Sequence, residues 1–138
     1  MYFRDPDKKT LEAFASSAEA FDIVRELARP GTDIRTLSAA IKKHFNPIAS
    51  QTNFYFIGGY ELGIAFPPDW VGEWTFDAIG GFASGVFEAG MVTNFESIFY
   101  FKDEQGRTCD TSNISTVVYG EDETRVLGSY PPEPIVIT

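Results

Sequence analysis

Several kinds of residue and segment are scarce in this 138-residue sequence, and each shortage argues against a class of protein. Cysteine occurs once, at Cys109, so no disulfide can form within the chain and a disulfide-stapled secreted domain is excluded. No apolar run approaches the ~20 residues that cross a bilayer, and none opens the chain, so we expect neither a membrane span nor a signal peptide. These absences predict a cytoplasmic protein.

Positive charge is also scarce. The sequence has 11 Lys and Arg against 20 Asp and Glu, a net charge of −9. Without a cluster of Lys and Arg, the phosphates of a nucleic acid or of an anionic membrane have nothing to neutralise them. We therefore expect neither nucleic acid nor membrane as a partner, and the scattered acidic residues predict a solvated surface.

Apolar and aromatic residues are plentiful. The length predicts one domain, and 43% hydrophobic residues are enough to fill a core of that size. Aromatic residues make up 15% of the chain, with 13 Phe. Such rings fill a core, line a pocket or cover an interface, and composition does not choose among these.

The first part of the chain has helical spacing. Apolar residues recur at intervals of three and four over residues 8–29, which predicts a helix that Pro30 ends. A second helix is predicted over 33–45, capped by the side-chain oxygen of Thr32 or Asp33. The predicted apolar stripes are Leu11, Phe14, Ala18, Phe21, Val24 and Ala28 on the first helix, and Ile34, Leu37, Ile41 and Phe45 on the second.

The rest of the chain has strand periodicity. Short strands are predicted at 53–59 and 61–66, a glycine-punctuated loop at 81–90, and the strongest strand at 91–101. Turn residues then lead into a partner strand over 108–119, which predicts a hairpin.

The order of elements predicts an α+β fold, with two N-terminal helices followed by a curved, mostly antiparallel sheet. We expect a single domain with a helical corner at 8–45, a sheet at 48–128 that ends in a short strand after residue 123, and an extended tail at 129–138.

Four segments, in order, resemble the catalytic domain of the creatinase / aminopeptidase P / methionine aminopeptidase superfamily, which has the pita-bread fold. They are "ARPGTDIRTLSAAI" (28–41), "GGYELGIAFPPDW" (58–70), "FEAGMVTNFESIFYF" (87–101) and "DTSNISTVVYGEDETRVL" (110–127). Together they cover most of the chain, and the resemblance implies a trimmed form of that domain.

Within the superfamily, the sequence "YELGIAFPPDWVGEW" is most similar to ectoine-hydrolase-like members. These carry Tyr-Ser-Ile-Gly followed by Pro-Pro-Asp-Trp-Gly-Glu, whereas here Val71 is inserted before Gly72 and Glu73. This similarity implies a small, polar or cyclic substrate.

Peptidases of the superfamily hold two divalent metals with two Asp, one His and two Glu. The resemblance places the two Asp before the helical corner, where this sequence has no matching strands. It places the His at Tyr60, the first Glu at Glu96 and the second Glu at Ser112 or Asn113. At most one ligand therefore remains, and we expect no metal, no cofactor and no metallopeptidase activity.

Acid/base chemistry without a metal is the main functional hypothesis. Tyr60, Glu96 and Asp110 are the candidate catalytic residues, because a phenol donates hydrogen bonds or a proton and a carboxylate accepts them. A carboxylate beside an aromatic ring suits a small cationic or zwitterionic ligand. The candidate substrate-binding residues are Glu61, Asp69, Trp70, Glu73, Asn94, Ser112 and Asn113. Three of these, Asp69, Trp70 and Glu73, follow the proline pair and are expected on a loop at the mouth of the pocket.

Two other interpretations stay open at this stage. The chain is either a non-catalytic binding or interaction module, or a subunit whose metal site another chain completes. Because the resemblance leaves the sheet without its opening strands, we expect an unpaired strand edge, and with it a homodimer or a partner chain.

Overall fold

Two helices come first along the chain and a five-stranded antiparallel sheet follows, as the sequence predicts. The computed structural model describes residues 5–63, 71–81, 84–128 and 134–137, and only the backbone of 71–74. The helices are α1 (Lys8–Leu27) and α2 (Ile34–Phe45), with a short 3₁₀ helix (Asn46–Gln51) after them. The strands are β1 (Thr52–Leu62), β2 (Val71–Asp77), β3 (Val92–Lys102), β4 (Thr108–Tyr119) and β5 (Thr124–Val126), in the spatial order β2-β1-β3-β4-β5.

Aspartate side chains start both helices. Asp7 accepts the backbone N–H of Thr10 at 2.8 Å, and Asp33 accepts that of Arg35 at 2.8 Å, so each carboxylate satisfies a donor that the helix leaves unpaired. Asp33 is thus the cap of α2. The apolar stripe of α2 is fully buried, whereas Leu11 on α1 departs from its predicted stripe and is 43% exposed.

The core lies between the helices and one face of the sheet. Phe95 and Phe99 of β3 point toward the helices, where the Phe95 ring meets Phe21 edge-on at 5.2 Å and the Phe99 ring meets Phe45 at 5.7 Å. Between them Ser17 of α1 donates a hydrogen bond to Ser97 at 2.8 Å. The phenylalanine excess of the sequence is therefore used largely for core packing.

The glycine pair Gly58-Gly59 lies inside a strand rather than at its end. The sequence pattern predicts two strands in this region, but β1 runs continuously to Leu62 because it is hydrogen-bonded on both sides. A Cβ on Gly58 would lie 2.0 Å from the carbonyl oxygen of Phe76, and one on Gly59 would lie 2.4 Å from that of Asn94. Only glycine allows the neighbouring backbones to come this close.

The loop before β3 is fixed to the helical corner. Phe87 accepts a hydrogen bond from Gly31 at 2.7 Å and donates one to Thr32 at 3.1 Å, and its buried ring stacks on Tyr119 at 4.9 Å. Asp103 organises the β3–β4 hairpin by accepting backbone N–H groups of the turn, so the predicted hairpin is confirmed. Among the described helices, none has the length and apolarity to cross a bilayer.

The outer edge of β2 is open within the described part of the chain, since β2 pairs with β1 alone. Ala78 donates its N–H to Ile57 at 2.8 Å, so by alternation the peptide N–H of Thr75 faces away from β1. An exposed edge of this kind is a template for another strand.

We predict that the chain self-associates through the β2 edge, and that Thr75→Pro makes it monomeric. Proline at this position removes an outward N–H without removing a bond to β1. Light scattering at micromolar concentration measures the mass, with Thr75→Ala as the matched control that keeps the N–H. A wild-type monomer, or a Thr75→Pro variant that still associates, would contradict the prediction.

Candidate functional site

The side chains of β3 that point away from the helices form the candidate site. Glu96 lies opposite Gly58 of β1, and Asn94 and Tyr60 are neighbours on the same face. Although this face is opposite to the core, Glu96 is only 8% exposed. A carboxylate so far removed from water needs compensating hydrogen bonds.

Two donors supply these bonds, and both reach the same oxygen. The Tyr60 hydroxyl donates to Glu96 Oε1 at 2.6 Å, and Asn94 Nδ2 donates to the same atom at 2.5 Å. Asn94 Oδ1 in turn accepts the backbone N–H of Tyr60 at 2.8 Å. Within the described ranges, Glu96 Oε2 accepts no hydrogen bond and is the available oxygen of the site.

The environment of Tyr60 keeps its phenol protonated. Burial first, and then the hydrogen bond and negative charge of Glu96, raise the pKa of Tyr60 from 10.0 to about 12, against a smaller lowering effect of Asn94. At neutral pH Tyr60 is therefore a hydrogen-bond donor to Glu96. This hydrogen bond orients the carboxylate of Glu96.

A cleft of about 710 Å³ borders this cluster. Tyr60 and Asn94 form part of its wall, together with the end of β1 at Leu62. The cleft is also lined by residues of α1 and by residues 113–116 of β4. Because the two residues that hold Glu96 also line the cleft, the carboxylate lies directly behind its surface.

The β4 residue opposite Glu96 is Ile114, so β4 places an apolar side chain beside the carboxylate. Ser112 is exposed on the same face, opposite Ile98. Asn113 borders the cleft but points to the helix side, where its amide donates to Ser17 at 2.9 Å.

Two other candidate residues lie away from the cluster. Asp110 is exposed and pairs with Tyr100, four positions along β3 from Glu96, a separation of about 13 Å. Glu61 lies opposite Thr93, so it points to the opposite face from Tyr60, as strand alternation predicts. The structure thus joins Tyr60, Asn94 and Glu96, and it does not bring Asp110 or Glu61 to them.

The expected loop after the proline pair needs a correction. Asp69 and Trp70 lie outside the described residues, but Glu73 lies in β2, whose backbone pairs with β1. The expectation that Glu73 lies on a loop was wrong, because pairing with β1 makes this segment a strand. The glycine and proline residues on either side of it are typical of loops, so the sequence did not indicate a strand here.

The described residues do not fit the metal pair that the family resemblance implies. No three His, Cys, Asp or Glu side chains in these ranges lie close enough together to hold an ion. The single histidine, His44, is bonded through Nε2 to the carbonyl oxygen of Ser16 at 2.7 Å, at the interface of the two helices. Glu96 already receives two donors, which suits a metal-free carboxylate.

Comparison with known proteins gives a consistent result for the fold. No protein-family profile and no curated protein matches the sequence. Among solved structures, the chain is similar to a dipeptidase from Pyrococcus horikoshii OT3, with a TM-score of 0.75, 14% identity and 96% of this chain covered. Dipeptidase PepE from Mycobacterium ulcerans matches with a TM-score of 0.72, 21% identity and 98% coverage.

The fold is a trimmed pita-bread domain. The chain spans 34% of each of those two dipeptidases. It is also similar to the N-terminal domain of the FACT complex subunit SPT16 from Cicer arietinum, with a TM-score of 0.64, 18% identity, 87% of this chain covered and 28% of that one. The ectoine-hydrolase-like relation stays a prediction, and much of the segment that carries it, residues 64–70, lies outside the described residues.

The two residues that sequence reasoning missed are Gly58 and Ile114, the cross-strand neighbours of Glu96. The register of the strand pairing is the information that identifies them. Once β3 is placed between β1 and β4, the residues that flank Glu96 follow from the pairing, which the sequence alone leaves open by one or two positions.

We predict that folding stability falls as the pH rises from 10 to about 12. The pKa of Tyr60 is raised from 10.0 to about 12, and burial likewise raises that of Tyr119 to about 12, so the unfolded chain loses these protons first. Urea unfolding across this pH range measures the effect. Tyr60→Phe should reduce the slope of unfolding free energy against pH and leave the contribution of Tyr119. An unchanged slope in Tyr60→Phe would contradict the prediction.

Proposed function

We propose that this domain binds a small cationic or zwitterionic molecule through Glu96. The observation that carries the proposal is the asymmetry of the carboxylate: Oε1 receives two donors, whereas Oε2 receives none from the described residues. A ligand with an N–H donor or a positive charge completes the hydrogen bonding of Glu96 and neutralises its charge.

The aromatic surroundings support the same class of ligand. Phe56 lies on the same strand face as Tyr60, with ring centroids 6.5 Å apart and planes inclined by 43°. Two rings beside a carboxylate offer a cation both an ion pair and ring faces. The acidic balance of the chain, −9, adds to the attraction.

Peptide hydrolysis, which the names of the dipeptidases denote, is not proposed for this chain. The metal-dependent peptidases of the superfamily hold two ions with a set of carboxylates and an imidazole. Here the resemblance puts Tyr60 at the imidazole position and Ser112 or Asn113 at the position of the second Glu, and the described residues hold no comparable set.

Acetamidine, a small planar cation with N–H donors, is the probe, with uncharged acetamide as its control. We expect acetamidine to bind the wild type more tightly than acetamide does. Glu96→Gln should lower the affinity for acetamidine by about tenfold or more, because a charge-assisted hydrogen bond is lost. NMR titration or calorimetry measures the affinity.

Glu121→Gln is the matched protein control, since it removes the same charge from an exposed position remote from the site. We expect it to change acetamidine affinity by less than about twofold. Equal weakening by both variants would show that overall charge, and not the site, attracts the cation; equal binding of acetamide and acetamidine would also overturn the proposal.

A second candidate function is hydrolysis of a cyclic amidine by general base catalysis. The supporting observation is that Tyr60 holds Glu96 in a fixed position and leaves one oxygen available to take a proton. Glu96 would remove a proton from a water molecule while the oxygen of that water bonds to the amidine carbon. The ring C–N bond then breaks, and the leaving nitrogen receives the proton, giving an amide and a free amine.

The test substrate is 2-methyl-1,4,5,6-tetrahydropyrimidine, whose hydrolysis product is N-acetyl-1,3-diaminopropane. If the domain is an enzyme of this kind, proton NMR should show product formation above the buffer rate, and Glu96→Gln should abolish the excess. Binding without turnover leaves the domain a ligand-binding module. Turnover that persists in Glu96→Gln would exclude Glu96 as the base.

A further inference from the structure

The outer edge of β4 is covered for only part of its length. β5 pairs with Val117–Tyr119, and Leu127 donates one further hydrogen bond to the Thr116 carbonyl at 2.8 Å. Over residues 108–115, β4 has β3 on one side and no described strand on the other. The open edge is about 26 Å long at ~3.3 Å per residue.

The direction of the free peptide groups follows from the Leu127 bond. Because N–H and C=O groups alternate sides along an antiparallel strand, Ser112 and Ile114 face the same way as Thr116. In the described part of the chain, no partner bonds to these outward groups. They are the groups that an added strand pairs with.

The cleft borders this edge at Asn113, Ile114 and Ser115. Phe14 and Phe21 of α1 contribute apolar surface to the cleft wall. Ile114 and Leu127, at 54% and 46% exposure, extend the apolar surface along the strand. An added strand therefore meets side-chain contacts as well as backbone partners, which gives such binding its specificity.

The charge at the cleft identifies the kind of strand that fits. Asp22 is paired with Arg25 at 2.5 Å, which leaves Glu19 as the unbalanced charge of the α1 wall. Asp110 adds a second exposed carboxylate on the open stretch of β4. A second copy of this acidic chain would bring like charges together, whereas a strand with Lys or Arg would neutralise them.

We propose that the open edge of β4 is a docking site for an extended, basic peptide segment of another protein, which adds to the sheet as a sixth strand. The inference does not depend on the proposed function of Glu96. It places the partner on an edge different from the β2 edge through which we predict self-association.

The probe is an acetylated, amidated peptide of alternating Lys and Val, about eight residues long to match the open edge. We expect it to bind and to shift the backbone amide signals of residues 112–116 in ¹⁵N-labelled protein. Methylating the peptide nitrogens that face β4 should lower affinity by about tenfold or more, because the strand-pairing donors are lost. A peptide with Glu in place of Lys should bind more weakly.

Protein variants separate strand addition from surface attraction. Ile114→Pro removes an outward N–H and should lower affinity about tenfold, whereas Ile114→Ala keeps the N–H and should lower it less. Glu19→Gln should lower affinity about two- to fivefold. Circular dichroism and thermal unfolding show whether the variants remain folded.

Three results would overturn the proposal: no binding of the Lys/Val peptide at millimolar concentration, equal binding of the N-methylated peptide, or amide shifts away from residues 112–116. Sedimentation of the free protein tests the rival occupant. Self-association that Ile114→Pro abolishes and Thr75→Pro does not would assign this edge to a second copy, and would likewise overturn it.

Discussion

The two-residue alternation of β3 is the constraint on which both the core and the site depend. β3 lies between β1 and β4 along its whole length, so its register is fixed from both sides. One set of side chains, including Phe95 and Phe99, packs under the helices, and the intervening set presents Asn94 and Glu96 to the other face. A slip of one residue would put Glu96 into the aromatic core, so the packing that stabilises the fold also selects the position of the carboxylate.

The burial of Glu96 is unfavourable unless its charge is compensated, and the compensation comes from the sheet itself. Asn94 is central because it bonds both the backbone of β1 and the carboxylate, which makes the geometry of the site part of the β1–β3 pairing. Tyr60 contributes the second donor, and the same contact raises its pKa to about 12. Tyr60 is therefore held as a neutral phenol that donates to a carboxylate oxygen of Glu96.

Local patterns predicted the elements whose determinants are local. The spacing of apolar residues predicted both helices, and turn residues after Lys102 predicted the hairpin of β3 and β4. The strand β2 and the continuity of β1 were missed, because Gly58 and Gly59 look like a strand end in the sequence. Their actual role is to admit the backbone of Phe76 and Asn94 at close distance, and this depends on the tertiary pairing.

The sequence likewise identified residues of the candidate site but not the register of the strands that carry them. Tyr60 and Glu96, two of the candidate catalytic residues, lie in contact, and their catalytic role stays a prediction. Ile114, the residue opposite Glu96, was not among the candidates, which included the nearby Ser112 and Asn113. Register between two strands is set by the turn that joins them, and the bonds of Asp103 that fix this turn are not visible in an alternation pattern.

The proposed binding of a cation also agrees with the positions that the family resemblance assigns. By resemblance, Tyr60 stands where an imidazole ligand would be, and Glu96 stands at a carboxylate ligand position. Replacing the imidazole by a phenol turns a metal ligand into a hydrogen-bond donor, so Tyr60 takes over part of the role of the cation by stabilising the Glu96 charge. Among the described residues, the donors reach one oxygen only. The proposed binding of an organic cation therefore depends on the other oxygen, Oε2.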